Sequence, residues 1–579
     1  MRARGSEAIS ASEAVVIHYA GRPIAARRGE TIAAALTAEG ILHLRTTSQD
    51  AQRGLFCGMG VCQDCLVTVD GAPRQRACMT KIIGPVEITP QEPRPEAVSL
   101  NVSAQETQRD ALTPDVLVIG GGAGGLAAAT VLARYGVDVM LADDRPQPGG
   151  QYYKQLMTTP DLPFKQHADR QMDAGVKRLD EARRTGVRFL SGCEIAGAFA
   201  PMSFVSITGS TARLIRPKRV VVATGAFERA MPVPGWTLPG VMATGAVQTL
   251  LRSYRVLAGR RVIVAGNGPL NLQVALELVR AGAVVPALAE LARSPWQAPW
   301  RSVLDMAVGS PRHLVQGLAM LAEARAMSIP IYFGVRLLGV ERGAAGLRAH
   351  FGSPSPGGEV ITRDADIVAI GYGFRPSDEI FRMLGCQFAG SSAGEPLLDR
   401  SERFETSLPG VFAVGDCARF GGAAVAELEG QLVGLAIAQD LGRIDSVYAS
   451  HLQAPLRKRL ARQRRFQSGL WQAYGASASN PLSINSSTPV CRCEVVSVGD
   501  LEAAVASGAI MMGSLKRQTR IGMGPCQGRY CGEFARRLAG RALSKGPITS
   551  DALTWAPRPP IKPLPVGVLA DLELGIDGD

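Results

Sequence analysis

An α/β fold is predicted by three features of this 579-residue chain. Strands alternate with helices from about residue 114 to 445, and two glycine-rich strand-to-helix turns, beginning at Gly120 and Gly266, lie inside that span. A compact cysteine-bearing module stands on either side of it. Alternating elements build a parallel sheet with crossover helices, and two such turns imply two nucleotide-cradling domains, the second inserted into the first.

The amino-terminal module, residues 1–97, opens with a β run at Val15–Tyr19, a turn at Gly21–Pro23 and a helix near Thr31–Ala38. That order fits a β-grasp domain. Residues 98–113 are polar and aperiodic and read as a linker. The first nucleotide-type domain takes residues 114–240 with 376–445, and the second takes 241–375. A helical connector follows at 446–485, where Leu452, Leu456 and Leu460 recur at helical spacing, and then a small helical module at 486–545. The Pro-rich tail at 546–579 is expected to be loosely ordered or draped over a partner.

Bulk properties narrow the function classes. No run of eighteen apolar residues occurs and Met1–Ser10 lacks an apolar signal core, so no transmembrane segment and a cytoplasmic location are expected. The net charge of +12 has no aromatic-interleaved basic groove beside it, which argues against nucleic acid and for an acidic protein partner. The cluster Arg457, Lys458, Arg459, Arg462, Arg464 and Arg465 reads as a solvated helix face or a docking face. The six histidines show no metal-ligand spacing.

Eight of the eleven cysteines form two quartets, and Cys193, Cys386 and Cys417 are left as buried thiols. Cys57, Cys62, Cys65 and Cys78 are spaced C-x4-C-x2-C-x12-C, with Gly58 and Gly60 letting a tight loop wrap a cluster. Zinc sites favour two C-x2-C knuckles on a longer span, so the spacing favours a [2Fe–2S] cluster over zinc. Cys491 and Cys493, then Cys526 and Cys531, make the second quartet, where Gly522, Gly524 and Gly528 permit the turns.

In DVLVIGGGAGGLAAA the residues Gly120, Gly122 and Gly125 follow a buried strand, and Asp143 closes the next strand, placed for a ribose diol. The second turn keeps Gly266 and Gly268 but has Asn271 where a small residue is needed, so it reads either as a weak NAD site or as a retained domain without ligand. No dithiol closely follows the first glycine turn, which argues against disulfide reduction.

Several segments resemble known families. Gly150 and Gln151 resemble the second glycine signature of flavoprotein reductases, and Thr224–Gly225 the strand end beneath their cofactor. TSLPGVFAVGDC, with Gly415 and Asp416, resembles the late FAD motif of glutathione reductase-like flavoproteins, which favours FAD over NAD or ATP at the first site. The first quartet resembles the iron–sulfur domain of molybdenum hydroxylases and hydrogen cyanide synthase. GMGPCQGRYC resembles the bacterioferritin-associated ferredoxin domain.

Together with VPGWTLPGVMATGAVQ, VAGNGPLNLQVALEL and GYGFRPS, the chain resembles the α-type subunit of heteromeric amino-acid, opine and amine dehydrogenases over about residues 114–545. The amino-terminal module then looks fused on. The resemblance implies a separate β flavoprotein subunit that oxidises the C–N bond, and FMN at a subunit interface in some members. It also implies electron passage through flavin and clusters to an external acceptor, a quinone or carrier. A flavin accepts two electrons and releases them singly to one-electron clusters. The alternatives are a self-sufficient NAD(P)H-dependent reductase and a structural nucleotide-binding scaffold. No catalytic residue is assigned, and the first quartet is expected to move on its linker toward the acceptor.

Overall fold

The structure is a computed structural model and describes residues 1–3, 14–93, 111–154, 156–157, 170–229, 231–344, 346–353, 358–389, 396–475, 484–542, 555, 557–564 and 567–568. Most of the expected linker at 98–113 lies outside the described residues.

In the amino-terminal module the hairpin Ala14–Tyr19/Arg22–Arg27 turns at Ala20 and Gly21, both with positive φ, as a tight twisted hairpin requires. Glu87–Pro90 adds parallel to the first strand, and Leu66–Val69 and Ala72–Arg76 complete a five-stranded sheet. Helix Ile32–Ala38, capped by the Thr31 hydroxyl, is buried along its whole length.

Two parallel sheets form the body. The first has the order Arg188–Ser191, Val139–Asp143, Val116–Ile119, Arg219–Val222, Val411–Ala413. VLVI at 116–119 is buried at all four positions, the run expected of a strand covered on both faces. The second sheet has the order Val241–Ala243, Ile367–Gly371, Val262–Gly266, Leu288–Glu290, Ile331–Phe333. Because the chain leaves the first sheet after Val222 and re-enters it at Val411, the second sheet is an insertion.

The long helix Ser446–Ala473 packs against helices Trp300–Gly309 and Gly422–Asp440. Close approach is permitted by Gly309 and Gly469, where an added Cβ would fall 2.5 Å from Phe466 N and Ser302 O respectively. Beyond it, helices Val498–Ala506, Met512–Thr519 and Gly532–Ala542 enclose a core of Val490, Leu501, Leu515 and Phe534.

Two expectations are corrected here. The amino-terminal module is not free to swing: Ile17, Leu36 and Ile88 share one core with Met242, Val247 and Leu250 of the second sheet domain. Lys81 donates to the Tyr254 hydroxyl at 3.0 Å, and Arg76 pairs with Glu194 of the first sheet domain. Apolar burial of this extent holds the module in place whatever the linker allows. Of the tail, described residues including Trp555, Ile561 and Lys562 lie against the chain itself, and the rest of it is outside the described residues. Ile561 N donates to Ala196 O at 2.9 Å, Lys562 pairs with Asp144 at 3.0 Å, and the Trp555 ring covers Gly522 and Gly528. Among the described residues no helix is long and apolar enough to cross a membrane.

Candidate functional site

A cavity of about 420 Å³ opens at the carboxyl ends of the first sheet. The three glycines of the first turn serve different ends. A Cβ on Gly120 would lie 2.4 Å from Ala223 O, and one on Gly125 1.8 Å from Gly120 O, so these two let backbone pack on backbone. A Cβ on Gly122 would meet nothing nearer than 4.0 Å, leaving the amino end of helix Ala123–Arg134 open to the cavity. That is a cradle for a diphosphate.

Asp143 lines the cavity and also closes the turn, accepting from Gly121 N at 2.6 Å and Arg145 N at 2.9 Å. Burial and the adjacent Asp144 push its carboxyl up to about 6. Gly150, at positive φ, sets its backbone on Gly122, and Gln151 faces the cavity. Thr224 and Gly225 form the floor, Thr224 donating to Ser377 O at 2.7 Å. Asp416 lines the wall and accepts from Gly421 N and Gly422 N, both at 2.9 Å. Gly415 does not line the cavity; its N–H donates to Glu429, a buried carboxylate gripped by Arg400 and Arg464. No motif in the sequence marks Lys154. Its ammonium is buried in the wall on Gln248 Oε1 at 2.9 Å, and burial lowers it to about 7.

The second turn departs from the NAD reading. Gly266 and Gly268 are not on the cavity, and the last turn of the long helix lies beside Gly268. The Trp471 ring sits 3.7 Å from where a Gly268 Cβ would be, and Asn267 donates to Tyr474 O at 3.2 Å. Asn271 is buried, donating to Gly371 O at 2.9 Å and accepting from Thr244 at 3.0 Å, so it ties helix to strand where a small residue would have packed. Glu290 accepts from Gly268 N at 3.2 Å and Ala292 N at 3.0 Å, yet burial pushes it up to about 8. The folded chain therefore keeps a proton that the unfolded chain loses near 4.5, and this contribution to stability is lost as pH rises from about 4.5 through about 8. Glu290→Gln is expected to shrink the difference in melting temperature between pH 5 and pH 8.5.

Both quartets are buried apart from a half-buried Cys493. Cys57 meets Cys62, and Cys65 meets Cys78. Met59 N and Cys62 N point at Cys57 Sγ from 3.5 and 3.4 Å. In the second quartet Cys491 lies 3.9 Å from Cys493, Cys493 3.6 Å from Cys526, and Cys531 meets Cys491. A Cβ on Gly524 would fall 2.5 Å from Cys493 Sγ. Among the described residues no three His, Cys, Asp or Glu side chains form a group fit for a single ion; the first four cysteines meet as two pairs and the second four as a chain from Cys531 through Cys491 and Cys493 to Cys526. Cys193, Cys386 and Cys417 are buried singly.

The quartets touch each other through residues inside their spacers. Arg492, between Cys491 and Cys493, donates to Asp64 Oδ2 at 2.5 Å and to Trp236 O at 2.7 Å. Its guanidinium lies 3.9 Å from the centre of the Phe56 ring. Phe56, next to Cys57, meets Tyr530, next to Cys531, edge-on at 5.4 Å. Burial would raise Asp64, but Arg492, Arg45 and Arg53 outweigh it and hold the carboxyl below its usual range. Cys57, Met59 and Val61 also line the cavity, as does Arg529 from the second quartet's loop.

This combination defines a flavin-dependent oxidoreductase subunit with two iron–sulfur domains, and comparison with known proteins bears that out. Residues 114–451 match the pyridine nucleotide-disulphide oxidoreductase family, 12–93 the 2Fe-2S iron-sulfur cluster binding domain, and 489–539 the BFD-like [2Fe-2S] binding domain. The A subunit of opine oxidase from Rhizobium meliloti (strain 1021) is 34% identical over 474 residues, covering 79% of this chain and 98% of that one. The HcnB subunit of hydrogen cyanide synthase from Pseudomonas aeruginosa is 29% identical, covering 79% and 98%. L-proline dehydrogenase from P. horikoshii shares the fold, with a TM-score of 0.68 at 20% identity over 97% of this chain and 98% of that one. The chain belongs to the family of the opine oxidase A subunit, whose members include flavin and iron–sulfur oxidoreductase subunits.

Proposed function

We propose that this chain is the electron-transferring subunit of a heteromeric amino-acid, opine or amine dehydrogenase. In this reading a β flavoprotein subunit oxidises the C–N bond and this chain carries the electrons to an external quinone or carrier. The observation that supports it most is the series of contacts running from the cavity through Cys57 and Phe56 to Tyr530 and Arg492.

In this reading FAD occupies the cavity. Gly120, Gly122 and Gly125 cradle its diphosphate; Asp143 takes the ribose; Gly150, Gln151, Thr224, Gly225 and Asp416 line its length, with Gly415 shaping the turn before Asp416. FAD supplies the exchange between two-electron and one-electron chemistry when bound. Cys57, Cys62, Cys65 and Cys78 would hold one [2Fe–2S] cluster, and Cys491, Cys493, Cys526 and Cys531 the other, as one-electron carriers. Lys154 presents a buried cationic or neutral amine to the cavity near neutral pH and so tunes the charge felt there. FMN, where relatives hold it at an interface, would need a surface shared with the β subunit.

The test is to purify the chain alone and with its co-encoded flavoprotein subunit. Substrate-dependent dye reduction is expected only from the pair, and reduction by the isolated chain would contradict the proposal. Nucleotide released by denaturation is expected to be FAD; ATP or NAD would favour the scaffold reading. The reductase alternative is disfavoured by Trp471 over Gly268. NADH is accordingly expected to leave the flavin absorbance of the isolated chain unchanged in rapid mixing.

A further inference from the structure

Helix Trp300–Gly309 carries apolar side chains on two of its sides, and only one of these is covered. Ser302, Met306 and Gly309 face the long helix and are buried, whereas Trp300, Leu304 and Val308, four residues apart on the other side, are 69%, 48% and 49% exposed. The next helix, Pro311–Ala326, has Ala324 as its one buried residue, while Val315 and Leu318 are 64% and 44% exposed. Trp296, just before, is 70% exposed. Lone exposed apolar side chains are ordinary, but two adjoining helices and two tryptophans on one segment are not.

The charge of the segment states what would cover it. Residues 293–326 contain four arginines, Arg293, Arg301, Arg312 and Arg325, and two acids, Asp305 and Glu323. Both acids are taken up by arginines outside the segment, Asp305 by Arg465 at 2.8 Å and Glu323 by Arg280 at 2.6 Å. All four arginines of the segment are exposed, Arg301 lying against Trp300 and Arg325 against Trp296. A second copy of this chain, pairing patch to patch about a two-fold axis, would set arginine against arginine.

We infer that the exposed apolar surface of this segment, carried by Trp296, Trp300, Leu304, Val308, Val315 and Leu318, is the seat of the flavoprotein subunit, which would bring an apolar patch rimmed by carboxylates. This rests on the heteromeric reading above and locates its interface. The position suits electron entry. Helix Pro311–Ala326 packs on helix Pro269–Arg280, which brings Leu270 and Gln273 to the cavity. The long helix behind Trp300–Gly309 brings Trp471 against Phe420 of the cavity wall.

The experiment uses the full chain, co-expressed with the co-encoded flavoprotein subunit, as wild type and as the double variant Trp300→Glu/Val315→Glu. Flavin and cluster absorbance report that the variant is folded, and Arg312→Glu/Arg325→Glu provides a gentler second variant. The expected result is dissociation constants weaker by roughly 100-fold for the first and less for the second, with unchanged absorbance. Equal affinity of wild type and both variants overturns the assignment of the patch and leaves the heteromeric reading standing. Complete failure of the wild-type chain to bind the flavoprotein overturns that reading and the occupant together. A wild-type homodimer that the variants split makes a second copy the occupant. Co-sedimentation of the wild type but not the variants with phosphatidylglycerol vesicles, with the complex unaffected, makes the patch a membrane face. Either result overturns the inference.

Discussion

Arg492→Leu is expected to destabilise the protein by about 3–5 kcal/mol, because it leaves the fully buried Asp64 carboxylate short of its closest cation. The side chain makes two directed bonds, to Asp64 and to the Trp236 carbonyl, while its face stacks on Phe56 and Trp236. Lysine cannot reproduce both the fork and the stacking, so Arg492→Lys is expected to recover only part of the loss. Asp64→Asn placed on Arg492→Leu removes the stranded charge and is expected to recover stability relative to the single variant. Thermal melting of the four proteins checks the ordering. A loss in Arg492→Leu no larger than that of an ordinary surface change would show that the bridge between the quartets carries little.

The second large effect is expected at Gly125. A side chain there would place its Cβ 1.8 Å from the Gly120 carbonyl oxygen, so strand and helix must part. Gly125→Val is expected to cost at least about 3 kcal/mol, the upper end for an overpacked core. It should also yield a chain without bound flavin, since the cradle at Gly122 is held by that same close approach. Gly122→Ala is the contrast. Its Cβ would meet no atom nearer than 4.0 Å, so the fold should persist while flavin binding weakens. Released flavin per chain, measured by absorbance, separates the two.

Much of this is legible in the sequence because the relevant chemistry is local. Cysteine spacing, the glycine turns and Asp416 each carry a residue pattern within one short segment, so short motifs reveal them even where their partners lie farther along the chain. The bridge between the quartets is not legible. Arg492 and Asp64 sit in spacer positions of their motifs and are 428 residues apart, and no local period marks such a pair. The docking of the amino-terminal module has the same cause, since its core is completed by Val247 and Leu250 from a distant helix. The second turn misleads in a different way. Gly266 and Gly268 satisfy the local pattern, but Trp471 and Tyr474, two hundred residues on, pack on Gly268 and bond Asn267. In the tail, proline content predicts a segment that is loosely ordered or draped over a partner. Ile561 and Lys562 nevertheless find specific partners in Ala196 and Asp144.

In the proposed function the cavity and the two quartets form one continuous path within this chain. Electron paramagnetic resonance of the fully reduced chain tests it most directly. With the quartets joined through Phe56, Tyr530, Asp64 and Arg492, the two reduced clusters are expected to show mutual spin interaction, seen as splitting or fast relaxation that partial reduction removes. Two independent signals, unchanged between partial and full reduction, would contradict a path joining the two clusters.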